Sequence, residues 1–99
     1  MQKENGSVIK IADWIAKFYA DAGIETVFMV TGGGAMHLND AFAREKRLKI
    51  FYCHHEQAAA IAAESYGRKN GKPAILNVTS GPGGLNALTG IHGAFTDSI

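Results

Sequence analysis

From Val8 onward, apolar positions recur at helical spacing. Val8, Ile11, Ala12, Ile15, Phe18, Tyr19 and Ala22 share one face, and Lys10, Asp13 and Lys17 fall on the other. Ser7 stands where an N-cap belongs and Gly23 where a helix stops, so a first helix is predicted between them. The pattern then changes. Thr26-Val27-Phe28-Met29-Val30 is apolar on both faces, as a strand inside a parallel sheet must be. After Gly32-Gly33-Gly34, a second helix is predicted over about residues 35–44, with Leu38, Ala41 and Phe42 turned inward. Residues 48–52 read as a second strand. Residues 56–70 read as an alanine-rich third helix that Gly71 ends. Residues 74–78 are the third strand, Thr79-Ser80-Gly81-Pro82-Gly83 a turn, and residues 84–95 a fourth helix.

Strands alternating with helices define an α/β fold, a parallel sheet with flanking helices and right-handed crossovers. Three parallel strands leave sheet edges open, and the sequence stops at Thr96-Asp97-Ser98-Ile99, where a further strand is due. The expectation is an incomplete three-strand fragment of a larger domain. Residues 1–6 read as a polar N-terminal extension and residues 7–99 as the domain itself.

Composition narrows the function classes. The 99 residues are 46% hydrophobic and 19% charged, enough apolar material for one domain with a core. A net charge of +1 without a basic stripe argues against nucleic acid as partner. The apolar runs are too short to span a bilayer, and the polar start Met1-Gln2-Lys3-Glu4-Asn5-Gly6 lacks a signal-peptide core, so the expectation is a cytoplasmic protein. The lone Cys53 excludes an intrachain disulfide and reads as a small apolar thiol in a strand. The alanines at 58–60, 62 and 63 let their helix lie close to a sheet or to a partner helix.

All three predicted strands run into a turn with chemistry in it: the glycine triplet, His54-His55-Glu56, and Ser80-Gly81-Pro82-Gly83. In a parallel sheet these turns converge on the C-terminal rim, where open α/β sheets bind ligands. The dinucleotide fingerprint fails, because its last glycine position holds His37 in one turn and Asn86 in the other. The P-loop pattern fails as well. Neighbouring His54 and His55 point apart and lack metal-ligand spacing, and His37 and His92 are isolated, so no metal site is expected. Asp40 and Glu64 read as solvated helix acids. Glu56 has two readings, a first-turn acid that favours the helix dipole or an acid aimed at a ligand.

The ordered set Gly32-Gly33-Gly34-Ala35, Cys53-His54-His55-Glu56-Gln57-Ala58-Ala59-Ala60, Thr79-Ser80-Gly81-Pro82-Gly83-Gly84-Leu85-Asn86, Gly90 and Asp97-Ser98-Ile99 resembles the N-terminal pyrimidine-binding domain of thiamine-diphosphate enzymes, in the acetolactate synthase and pyruvate oxidase group. The resemblance implies that Glu56 hydrogen-bonds ring nitrogen N1′ of the cofactor's aminopyrimidine. That contact favours the imino form of the 4′-nitrogen, which takes the proton from thiazolium C2. It also implies pyrimidine contacts at Thr31, Gly32, Pro82 and Asn86, and substrate space at Gly33 and Gly34. Burial would raise the pKa of Glu56 and a helix start would lower it; the sequence leaves the balance open.

Two positions depart from the family pattern, which often has proline at Gly32 and a bulky aromatic at Thr31, and this widens the choice of 2-oxo acid. By the same resemblance Mg²⁺ sits with a diphosphate-binding domain of a second subunit that this chain lacks. The parent is then a homodimer or homotetramer acting on a 2-oxo acid, with room for FAD in some members, and the isolated fragment is inactive. A nucleotide-binding α/β module and a non-catalytic domain of the same fold are the alternatives.

Overall fold

The computed structural model describes residues 2–4 and 7–97. In chain order the elements are β1 (Gln2–Glu4), β2 (Ser7–Ile9), α1 (Ile11–Asp21), β3 (Thr26–Met29), a 3-10 turn (Gly33–Ala35), α2 (Met36–Arg44), β4 (Lys49–Tyr52), α3 (Glu56–Asn70), β5 (Ile75–Asn77) and α4 (Pro82–Thr96). The three predicted strands form one parallel sheet in the order β4-β3-β5. Central β3 has a strand on each side, and its Val27 and Met29 are completely buried, which is what its two-sided apolar run requires.

The two sheet faces are filled differently. Ala16 and Ala20 of α1, and Ala41 and Phe42 of α2, close over Val27, Met29 and Leu48 on one face. Phe28 points the other way, as alternation along a strand dictates. It stacks on Phe51 with ring centroids 5.4 Å apart and meets Tyr66 of α3 edge-on at 6.2 Å. α4 packs on α3 through small residues: Ala59 and Ala60 on one helix, Gly83, Ala87 and Gly90 on the other, all buried. A Cβ at Gly90 would overlap that of Ala60 and stand 3.1 Å from the Ala60 carbonyl carbon and the Ile61 nitrogen. The alanine stripe thus serves α4 of the same chain at Ala60, Ala59 is buried, and Ala58 stays exposed. Gly71 ends α3 in a left-handed conformation with φ 68°, as its sequence position indicated.

Three expectations need correction. Ser7 does not cap α1; it lies in β2, which pairs antiparallel with β1, and the helix starts at Ile11 behind Lys10 with no side-chain cap. The buried face of α1 is turned from the one expected. Ala16 and Ala20 are inside, Ala12 and Ile15 half-buried, whereas Ile11 and Phe18 are exposed. Small residues let α1 lie close to the sheet, and the displaced aromatics pack on one another, Trp14 on Phe18 at 5.3 Å and Phe18 on Tyr19 at 5.6 Å. α4 begins at Pro82, two residues before the predicted start at Gly84, because proline's fixed φ and missing N–H suit a first helical position.

Candidate functional site

The strands end level. Met29 is opposite Tyr52 on one side and Asn77 on the other, so the three following segments leave from one rim. The expected convergence is therefore real in space, and it can be followed atom by atom.

Glu56 is the first residue of α3, with His55 at the N-cap, whose Nδ1 accepts a hydrogen bond from the Gln57 N–H at 3.0 Å. The Glu56 side chain is half-buried and reaches across to the start of α4, where Asn86 Nδ2 donates to its Oε1 at 3.1 Å. Its other oxygen faces Gly83, where a Cβ would lie 3.4 Å away. The carboxyl is held below the usual glutamate range, chiefly by a hydrogen bond from its own backbone N–H and next by Asn86; partial desolvation works the other way, and the charge of His55 adds a smaller lowering. The helix start therefore outweighs burial, and Glu56 is a carboxylate at neutral pH. With the folded value below the unfolded one, its contribution to stability is present above the unfolded value and is lost as pH falls through the folded one. Asn86→Ala removes the second cause and leaves the first. The Glu56 titration midpoint, followed by carbon-13 NMR of its carboxyl group, is then expected to rise toward the ordinary value without reaching it.

The glycine turn is held from beneath. Thr79 Oγ1 accepts a hydrogen bond from the Gly34 N–H at 3.0 Å. Cβ atoms added at Gly32, Gly34 and Gly83 would come within 2.7, 2.7 and 2.9 Å of the Thr79 side chain. These three glycines are needed for close approach to one threonine. Gly33 differs, since nothing lies within 4 Å of the place where its Cβ would be. Asn77, buried at the end of β5, donates to Asn39 Oδ1 at 2.7 Å, and Asn39 in turn donates to the Gly32 carbonyl at 3.5 Å.

Of the residues singled out by sequence, Glu56 and Asn86 meet directly, and Gly32 and Gly34 meet the α4 turn through Thr79. Thr31 and Pro82 stand exposed, neither hydrogen-bonded to Glu56. Sequence reasoning named Thr79 only as part of a turn motif, without a role, and did not single out Asn77 or Asn39. A signal existed for Asn77, an amide inside an otherwise apolar strand, which must find a partner when buried. Asp40 and Glu64 pair with Arg44 and Arg68 on their own helices at 2.9 and 2.7 Å, away from Glu56. Among the described residues no group of three histidine, cysteine or acidic side chains could hold a metal ion, and no helix is long and apolar enough to cross a membrane. An apolar groove of about 580 Å³ between α3, α4 and β5 includes none of the candidate site residues.

The Glu56 carboxylate, braced by Asn86, thus stands at the rim beside Gly83, and the glycine turn is tied to the same rim through Thr79. Comparison with known proteins gives the family. Residues 9–99 match the family model described as thiamine pyrophosphate enzyme, N-terminal TPP binding domain. The chain is 39% identical over 90 residues to "Acetolactate synthase 3, chloroplastic" of Brassica napus, covering 91% of this chain and 14% of that protein. It is 40% identical over 88 residues to "Acetolactate synthase isozyme 2 large subunit" of Escherichia coli, covering 89% and 16%. For the acetolactate synthase large subunit of Haemophilus influenzae the identity is again 40% over 88 residues, covering 89% and 15%. The chain thus spans about one-seventh of the length of the curated relatives it matches. With the carboxylate, the glycine turn and the α4 start all falling inside the matched residues, the chain belongs to the N-terminal TPP-binding domain family of thiamine pyrophosphate enzymes.

Proposed function

We propose that this chain is the pyrimidine-binding part of a thiamine-diphosphate-dependent enzyme of acetolactate synthase type, acting on a 2-oxo acid, with Glu56 as the residue that activates the cofactor's aminopyrimidine. The observation that carries the reading is the Glu56 carboxylate, braced by Asn86 at the rim where the three loops meet. When bound, thiamine diphosphate supplies a nucleophilic thiazolium carbon and a sink for the electron pair released by decarboxylation.

The chain's own residues have narrower tasks. Glu56, charged at neutral pH, holds a proton at N1′ of the pyrimidine ring. Asn86 fixes the direction of that carboxylate. Thr31, Gly32 and Pro82 line the pyrimidine, Pro82 as a rigid apolar wall. Gly33, with open space where a side chain would be, leaves room for the substrate, and Gly34, whose side-chain position is taken up by Thr79 and Ser80, offers only its backbone on that side. The diphosphate and Mg²⁺ belong with a diphosphate-binding domain supplied by a second subunit, so that the parent works as a homodimer or homotetramer. The lone free thiol, Cys53, fits a reducing compartment such as the cytoplasm.

The reading is tested by comparing the 99-residue chain with the full-length protein that carries it. The isolated chain is expected to show no saturable decarboxylation of pyruvate or another 2-oxo acid. The full-length protein is expected to show it only when thiamine diphosphate and Mg²⁺ are both supplied. Turnover that ignores thiamine diphosphate, or saturable binding of a nicotinamide or flavin nucleotide by the isolated chain, would contradict the reading and favour a nucleotide-binding module.

A further inference from the structure

We infer that Thr79 is a positioning residue of the site: its hydroxyl holds the Gly34 amide, and its methyl alone packs against the start of α4 beside Glu56, as well as against Gly32. The inference deepens the reading of the Glu56 site given above and rests on it for its bearing on catalysis.

Thr79 follows β5 and sits between the two loops. Its Oγ1 takes the Gly34 N–H at 3.0 Å, tying the turn after β3 to the turn after β5 across 45 positions of sequence. Its Cγ2 meets both loops. A Cβ on Gly83 would stand 2.9 Å from that methyl and 3.4 Å from Glu56 Oε2. Gly83 therefore lies between the Thr79 methyl and the carboxylate, with no side chain of its own to keep the two apart. The methyl also faces Gly32, whose Cβ would come to 2.7 Å from it.

The chemistry of the branches explains why threonine suits this place. Serine keeps the acceptor for Gly34 and leaves a hole against Gly83. Valine keeps the shape and leaves the Gly34 N–H without its acceptor. Loss of the hydroxyl is felt at the Gly34 amide, and loss of the methyl at Gly32 and at α4, hence at Asn86 and the Glu56 carboxyl. A residue that merely filled space would not divide its effects in this way.

The test uses Thr79→Ser and Thr79→Val in the chain described here, without cofactor, followed by NMR. In Thr79→Val the Gly34 amide is expected to exchange roughly five- to tenfold faster after correction for the amides of β3, as loss of one hydrogen bond implies. In Thr79→Ser the Gly34 amide keeps its protection, while the Glu56 titration midpoint moves upward as Asn86 loosens. An unchanged Gly34 amide in the valine variant, or an unmoved Glu56 midpoint in the serine variant, would overturn the inference. Should the valine variant not fold, the serine variant alone decides through the Glu56 midpoint. Because neither readout involves thiamine diphosphate, a failure here is distinct from a failure of the proposed function.

Discussion

Glu56→Gln is expected to lower kcat of the full-length protein on its 2-oxo acid by roughly 10²- to 10⁴-fold, the range typical for loss of a positioned acid–base group. The substitution is close to isosteric. Glutamine keeps an oxygen for Asn86 Nδ2, which now lies 3.1 Å from Glu56 Oε1, so the brace survives. The negative charge does not survive, and in the proposed function that charge is what holds a proton at the pyrimidine nitrogen. Stability should fall by no more than about 1 kcal/mol, the cost of losing a carboxylate at a helix start. A large rate loss with so small a loss of stability therefore separates chemistry from folding. An equal fall in rate and in folded fraction would assign Glu56 the structural role of a first-turn helix acid.

Gly90→Val is expected to cost the isolated chain about 3 kcal/mol or more in urea denaturation, the upper end for overpacking. Two effects compete at this position. Any side chain with a Cβ improves helix propensity over glycine, by about 1 kcal/mol for alanine and less for valine. Against that, the added Cβ overlaps Ala60 Cβ and meets the α3 backbone at 3.1 Å, and neither neighbour can rotate away. The overlap wins, and α4 must shift from α3. Gly93, one turn further along α4, is the control: a Cβ there would meet only Glu64 Oε1, at an ordinary 3.5 Å. Gly93→Ala should therefore be neutral or stabilising by up to about 1 kcal/mol. If the two positions respond alike, the close approach of α3 and α4 at Gly90 is not what holds them.

What could be read from the sequence divides along the range of the contacts involved. The β3 run, the left-handed stop at Gly71 and the meeting of loops at one rim follow from local pattern and from the geometry of a parallel sheet. Glu56 was legible because it stands where a strand ends and a helix begins, and its partner Asn86 because both lie in the family pattern. The buried face of α1 was not legible. Large apolar residues score highest in a periodicity reading, yet alanines 16 and 20 are the ones that approach the sheet, leaving Phe18 outside. The pairing of Ser7 with Glu4 in a hairpin overrode its capping preference in the same way. The role of Thr79 and the Asn77–Asn39 pair escaped because their partners lie 45 and 38 positions away, where neither spacing nor propensity carries a signal.

The most direct measurement is exchange of the thiazolium C2 proton of thiamine diphosphate into deuterated water, on the full-length protein with and without Glu56→Gln. Fast exchange is expected with glutamate at 56, and a rate lower by orders of magnitude with glutamine, at equal cofactor occupancy. Equal exchange rates in the two proteins would show that this carboxylate does not act on the cofactor.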